Sequence, residues 1–323
     1  MTPADSTIIF LALLLDLLIG DPRWLPHPVV AIGRLIHLLE SVLRHAWLNE
    51  RVAGILLLLL VVMASSGATW ILLKSIALML PLAGWVAAVI VSSTCLAARS
   101  LHKESARVAA ALQSGDLPAA RRYLSFIVGR DTDQLEEPEI WRGVVETVAE
   151  NTSDGIIAPL FWLTIGGPVA AMGYKAVSTL DSMVGYRNQR YLQLGWASAR
   201  MDDLLNYIPA RISALLLIVA APLAGLSASN AARITARDRL KHPSPNSGHP
   251  EAAAAGALGV RLGGASSYNG ASSWKEYIGD DLQPLDERAY CGMIKLMYIS
   301  TLLMAVICMI AAFCLRGLHA TLI

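Results

Sequence analysis

Val52–Leu73 contains no charged residue: the segment opens with the aliphatic run Ile55–Val62 and meets its first cation only at Lys74. An α-helix needs about 20 predominantly apolar residues to cross the hydrocarbon core of a bilayer. The next segment, Ile76–Ala98, is equally uncharged and follows after almost no loop. The two therefore predict a helical hairpin that returns the chain to the side from which it entered. Leu296–Leu315 is a further uncharged stretch. With 55% hydrophobic and 16% charged residues in 323, and a mean hydropathy of +0.51, the chain is too apolar for an ordinary soluble protein. The expected fold class is all-α, a polytopic integral membrane protein with about five membrane segments, some of them candidates for re-entrant loops, and large polar helical loops. It is read as a single membrane-embedded domain over 1–323, with polar regions at 99–155 and 228–292.

The remaining segments differ in kind. Ser6–Ile19 is apolar but short for a span, contains Asp16 and runs into Gly20-Asp21-Pro22, so it reads as an inserted or packed helix. Three prolines keep Gly20–Pro28 out of regular helix and make it an ordered loop carrying Asp21, Arg23 and His27. Arg99–Asn151 holds seven Lys/Arg and many acids, with apolar residues at helical intervals, and reads as a water-facing helical region. Within it Gly115–Pro118 marks a helix–helix turn, and Glu136–Glu139 carries the acids and proline of a helix start. Ile156–Gly173 could just span, but Pro159 and Gly166-Gly167-Pro168 interrupt it. Such breaks are tolerated in a membrane where protein or a wet cavity satisfies the backbone. Tyr174–Tyr207 is expected as a polar loop, Ile208–Leu226 as a membrane segment, Ser229–Arg239 as a basic surface helix, and His242–Glu251 as a proline-punctuated loop opening onto a helix at Ala252–Leu258. The glycine-rich Gly259–Gly264 is no Walker A sequence.

Glu150-Asn151-Thr152-Ser153-Asp154-Gly155 sets two carboxylates and an amide against the broken apolar segment. A helix through them places Glu150 and Asp154 on one face. Two carboxylates and an amide oxygen suit Mg²⁺ completed by water and substrate phosphates. The competing reading is a simple cap for a helix beginning at Ile156. Arg211, one turn inside an apolar stretch, needs a partner such as Asp203 or Asn206, or must snorkel. A net charge of +1 without a basic tract argues against nucleic acid. The four cysteines lack CxxC spacing and read as small buried hydrophobes.

Gly20-Asp21-Pro22…His27-Pro28…Gly33-Arg34, Glu150–Gly155, Tyr174–Met183 with Tyr186, Asp202–Arg211 and His242–Gly248 occur in one order along the chain. Together, over nearly the whole length, they resemble the CbiB/CobD family of cobalamin biosynthesis, the adenosylcobinamide-phosphate synthases. The resemblance implies an ATP- and Mg²⁺-dependent amide ligase that joins a propionate carboxylate of adenosylcobyric acid, a corrinoid, to (R)-1-amino-2-propanol or its O-phosphate. It implies Glu150, Asn151, Asp154 and Asp202 as metal ligands, with Asp181 either sharing that role or acting in catalysis. Lys175, Arg187 and Arg211 would face phosphate, and His27 or His242 would take the amine's proton. Asp21, Arg34, Asp203 and Asn206 are further substrate-binding candidates. Ser244, Asn246 and Ser247 would cradle a phosphate through backbone N–H groups.

The implied setting is multi-pass in the bacterial cytoplasmic (inner) membrane, with the active face toward the cytoplasm and lipid around it. A homo-oligomer or a partner subunit is left open. A membrane transporter or corrinoid-binding protein without ligase activity is the rival class, since broken segments and an intramembrane arginine suit a translocation path too. Against that rival, no internal repeat pairs the two halves of the sequence.

Overall fold

The computed structural model describes residues 5–21, 27–46, 48–186, 188–268 and 270–321. Helix α1 (Ser6–Leu18) is short and apolar, and Asp5 caps it by accepting from Thr7 N–H at 3.1 Å. α2 (Pro28–His45) starts at a proline, where the missing N–H costs nothing. α3 (Glu50–Met79) contains the uncharged run and gives way at Leu80 to α4 (Pro81–Ser93). The hairpin is as expected, but its second arm begins at Pro81 and not at Ile76, because a proline can open a helix and cannot sit in its interior without losing a bond. α5 (Ala98–Gln113) and α6 (Leu117–Leu124) follow, separated at the Gly115–Pro118 turn. α7 (Glu137–Thr152) opens with a capping box between Glu136 and Glu139.

No helix starts at Ile156. α7 passes through a π-helical turn, Ser153–Ile157, directly into α8 (Ala158–Val184). The capping alternative for Asn151–Asp154 is thus replaced by a helix interior. The break expected near Pro159 is absorbed by the π turn. The one at Gly166-Gly167 is real: Gly167 has φ 68°, ahead of Pro168. Because α8 extends to Val184, Lys175 and Asp181 are helical, and the expected loop shrinks to the residues before α9 (Trp196–Leu205). α10 (Tyr207–Leu223), α11 (Ala228–Asp238) and α12 (Gly248–Leu258) come next. His249, Pro250 and Glu251 therefore belong to a helix and not to the preceding loop. An antiparallel hairpin of β1 (Arg261–Tyr268) and β2 (Ala271–Gly279) was not expected, and α13 (Glu287–Thr321) ends the chain.

Among the described residues four helices are long and apolar enough to cross a membrane, or five if α9 and α10 count as one span. The protein is a mostly helical membrane protein with one small sheet. Its chain divides into two compact units. One comprises Met1–Ala97, Ala158–Asn206 and Ala305–Ile323, the other Ala98–Ile157 and Tyr207–Met304. Both polar regions, 99–155 and 228–292, fall in the second. Among the cysteines, Cys95 and Cys308 are buried as expected, whereas Cys291 and Cys314 are exposed.

In the first unit α3 packs on α8, on α4 and on the segment before α9. Gly54 makes one of these contacts possible, since a Cβ there would fall on the Leu194 carbonyl oxygen. Glu40 is buried and is held by Arg44 Nε at 3.0 Å and by Arg190 at 3.2 Å. Gly54→Leu is expected to cost roughly 1–3 kcal/mol by overpacking, read as a lower thermal midpoint in detergent; an unchanged midpoint would contradict this contact.

In the second unit His249 is 5% exposed, and its Nε2 has no hydrogen-bond partner among the described residues. Burial first, then the charges of Arg211 and Arg239, lower its pKa from 6.5 to about 4. The unfolded chain then binds a proton that the folded chain does not, so stability is complete above about 6.5 and declines as the pH falls toward about 4. The loss is at most roughly 3 kcal/mol. Denaturant melts across this window should show that slope in the native protein and a flatter one in His249→Gln.

Candidate functional site

Glu146, Thr147 and Glu150 recur at helical spacing along one face of α7, and the helix's burial turns that face inward. Opposite lie the loop before α7, the start of α12 and the β hairpin, and together these enclose a cavity of about 110 Å³. Its charged walls are Arg130, Glu146, Glu150, Glu251 and Lys275, with Asn151 and Tyr268 beside them. All belong to the second unit.

Each charge is held by its surroundings. Glu146 accepts from Arg130 Nη2 at 2.5 Å and from Gly263 N–H at 2.8 Å, with Arg142 Nε at 3.9 Å. Gly263 sits in a β-bulge at φ 84°, a left-handed conformation that glycine adopts without strain, and this aims its N–H at the carboxylate. Arg130 also donates to Ser266 Oγ at 3.2 Å, and Asp131 clamps the hairpin tip, accepting from Ser267 Oγ at 2.6 Å and Gly270 N–H at 2.8 Å. Lys275, on β2, thereby keeps a fixed position. Glu150 accepts from Ser247 Oγ at 2.8 Å.

The loop before α12 orients His242. Ser244 N–H donates to His242 Nδ1 at 3.0 Å, which turns Nε2 toward β2 and α12. That nitrogen faces Lys275 Nζ at 3.2 Å and Glu251 Oε1 at 3.6 Å. Burial, then Lys275, pushes His242 below its ordinary value. Burial, then Glu146, pushes the Glu251 carboxyl well above the usual carboxylate range. Burial also opposes the charge on Lys275, but the combined fields of Glu251, Tyr268, Glu146 and Glu150 outweigh it and raise the lysine. Three titrating groups this close exchange protons as a set.

The sequence-derived residues divide between the units. Glu150 and Asn151 line the cavity, and Ser244, Ser247 and His242 support it. Asp154 lies in the π turn, outside the cavity wall. The N–H groups of Ser244, Asn246 and Ser247 are taken up inside their own loop, by His242 Nδ1 and Ser244 Oγ, so their task here is to shape the loop. Arg211 stacks on Tyr207 with its Cζ 3.5 Å from the ring centroid, and donates to the Tyr207 carbonyl at 2.6 Å and Asn246 Oδ1 at 3.4 Å. Asn206, one of the partners suggested for it, instead accepts from Tyr174 Oη at 2.8 Å and donates to Asp202 at 2.9 Å.

Asp21, His27, Arg34, Lys175, Asp181, Asp202, Asp203 and Asn206 belong to the first unit. There His27 caps α2, accepting from Val29 N–H, and its Nε2 lies 3.0 Å from Asp21. Asp203 and Arg200 border an aromatic-lined pocket of about 310 Å³ with Tyr186, Tyr191 and Trp196. Arg187 falls outside the described residues.

Sequence reasoning missed Arg130, Glu146, Glu251 and Lys275. Glu146 was within reach, four residues before Glu150 on the same helix face. The hairpin had a signal too, in the Asn269-Gly270 dipeptide between two similar polar runs. Among the described residues no three His, Cys, Asp or Glu side chains are arranged to hold a metal. Glu150 and Asn151 together offer two oxygen donors at the cavity wall, which fits Mg²⁺ held largely by water and phosphate oxygens and not an all-protein cage.

Residues 9–297 match the model of the CobD/Cbib protein family. The chain is 64% identical to the "Cobalamin biosynthesis protein CobD" of Pelobacter propionicus, over 99% of both chains. It is 63% identical to the protein of that name from Geobacter metallireducens, over 92% of this chain and 93% of the relative. Against the "Cobalamin biosynthesis protein CbiB" of Salmonella typhimurium it is 47% identical, over 94% and 96%. No solved structure matches. A match this long, at such identities and with the five motifs in order, leaves one assignment: the chain belongs to the CobD/CbiB family.

Proposed function

We propose that this protein acts in cobalamin biosynthesis as the membrane-bound amide ligase that couples adenosylcobyric acid to (R)-1-amino-2-propanol or its O-phosphate at the expense of ATP. Its site would be the cavity of the second unit, opening to the cytoplasm. The observation that carries this reading is that cavity, lined by two cations and three carboxylates, with the His242 imidazole beside Lys275. A volume of about 110 Å³ is the share of only three or four water molecules in the liquid. It admits a transferred phosphoryl group or a three-carbon amine, and the corrinoid and the nucleotide would present only their reacting ends.

An unactivated carboxylate is a poor electrophile, so amide formation calls for phosphorylation of that carboxylate and displacement of phosphate by the amine. Arg130 and Lys275 would supply fixed positive charge for the phosphoryl oxygens. Mg²⁺, bound through Glu150 and Asn151, would neutralise the charge gathered during phosphoryl transfer. The amine must lose a proton to become a nucleophile. Glu251 would take that proton, with His242, whose Nδ1 already accepts from Ser244 N–H, facing the carboxyl from 3.6 Å. Ser247 holds Glu150, and the Ser244 turn holds His242.

The test is mass spectrometry of purified protein in detergent with adenosylcobyric acid, either amine, ATP and Mg²⁺. A corrinoid heavier by the amine minus water, formed only with ATP, is the expected product. Folded protein that yields none with either amine, also after cell extract is added, would overturn the reading in favour of a transporter or corrinoid-binding protein. Lys275→Ala is expected to lower turnover by about 10²–10³-fold, with the protein still inserted and folded. Glu251→Gln should lower it by about 10²–10⁴-fold and remove the acid-side fall in the pH–rate profile, because a base is lost as the pH drops through its pKa. An unaltered profile would take Glu251 out of the proton path. Asp154→Ala separates the sequence-derived metal assignment from the cavity: loss of turnover keeps Asp154 as a ligand, and near-normal turnover removes it.

A further inference from the structure

The orphaned Nε2 of His249 lies in the first turn of α12, in the interior of the second unit. A buried ring nitrogen left that way gives up its hydration without replacement. The charges acting on it are those of Arg211 and Arg239, both positive. His242, just before the same helix, differs: Glu150 and Glu146 offset the field of its neighbouring lysine.

Two separate elements bring the guanidinium groups here. Arg211, on α10, donates through Nη1 to Asn246 Oδ1 at 3.4 Å, and the Asn246 carbonyl accepts from His249 N–H at 3.0 Å. Arg239 caps the C-terminus of α11, and its carbonyl lies against the start of α12, where a Cβ on Gly248 would fall on that oxygen. Both side chains spend Nη1 on oxygens that carry no full charge, Arg211 on the Tyr207 carbonyl at 2.6 Å and Arg239 on the Ala236 carbonyl at 2.7 Å. Among the described residues neither is paired with a carboxylate, and Nε and Nη2 of both have no partner. That Nε/Nη2 edge is the fork with which arginine binds two oxygens of one anion.

Two such edges, an unpartnered imidazole nitrogen and the positive end of a helix converge without an anion to neutralise them. A single carboxylate has only two oxygens, which one guanidinium can occupy. A phosphate group offers acceptors in several directions and close to two negative charges at neutral pH. We propose that Arg211, Arg239 and His249 form a binding site for the phosphate group of a small molecule, separate from the cavity lined by Glu150 and Lys275. The site goes beyond the ligase reading, because occupancy is measured without turnover.

Arginine modification tests it on the whole protein. Purified protein in detergent is treated with phenylglyoxal, with and without inorganic phosphate at matched ionic strength, and the modified positions are mapped by peptide mass spectrometry. Phosphate should slow modification of Arg211 and Arg239 severalfold, with one half-saturating concentration for both, and leave the exposed Arg122 unaffected. An unchanged rate at either arginine, or equal slowing at Arg122, overturns the proposal without recourse to any variant. In Lys275→Ala the protection should persist, whereas its loss from folded protein would assign the phosphate to the cavity. Arg239→Gln should weaken the protection of Arg211 at least severalfold, and undiminished protection in the folded variant would also overturn the proposal. Repeating the titration with ATP and with the O-phosphate of the amine identifies the source of the group, as the one that protects at the lower concentration. A protein that forms no amide product yet shows this protection would lose the ligase reading and keep the site.

Discussion

A carboxylate taken out of water must be matched by charge and hydrogen bonds, or it loses its proton balance and its place. Glu146 meets that condition with three groups from three parts of the second unit: Arg130 from the loop before α7, Arg142 from its own helix, and the Gly263 amide from the bulge of β1. The hairpin consequently lies where Lys275 and Tyr268 can border the cavity. Remove this match and the positions of Lys275, His242 and Glu251 relative to one another lose their common reference. The same unit anchors the far end of the hairpin through Asp238, which is fully buried and accepts from Arg237, Lys241 and the Gly279 amide. Burial acts against its ionisation, but those partners hold it below the usual carboxylate range.

The helix that carries Glu146 and Glu150 is also the one that runs on into apolar sequence. Its π turn at Ser153–Ile157 widens the backbone just before Pro159, a residue with no N–H to give. Further along, Gly166 and Gly167 leave helical geometry altogether. Both irregularities are buried in protein, with Ile156, Ile157, Gly166 and Gly167 inaccessible, which is the condition on which a membrane segment keeps non-standard backbone. The chain thus runs from the charged face of α7 into apolar sequence without an intervening loop.

The site's chemistry follows from proximity more than from residue type. His242 and Lys275 are each unremarkable in sequence, yet at 3.2 Å neither can change its protonation without changing the other's. Glu251, adjacent to both, is raised by the same burial that lowers His242. Their protons then belong to the group and not to one member.

The spans, the α3–α4 hairpin, the helix start at Glu136 and the kink at Gly166-Gly167 were legible in the sequence because they depend on short-range features: uninterrupted hydropathy, a capping pattern, residues that remove a backbone donor or permit positive φ. Glu150 and Asn151 were legible as candidates for the same reason, as polar groups abutting apolar sequence. The extension of α8 through Tyr174–Val184 was not, since its polar residues suggested a loop where packing kept a helix. Nor were the partners of Arg211 or the roles of Arg130, Glu251 and Lys275. Lys275 stands 125 positions beyond Glu150 by its number in the sequence, and no local pattern records that a bulge at Gly263 brings its strand against α7. Hydropathy and backbone chemistry are properties of neighbours along the chain and so determine which segments become helices and spans. Which charges meet is settled only where distant segments exclude water from one another, because there an ionised group must find a partner in space.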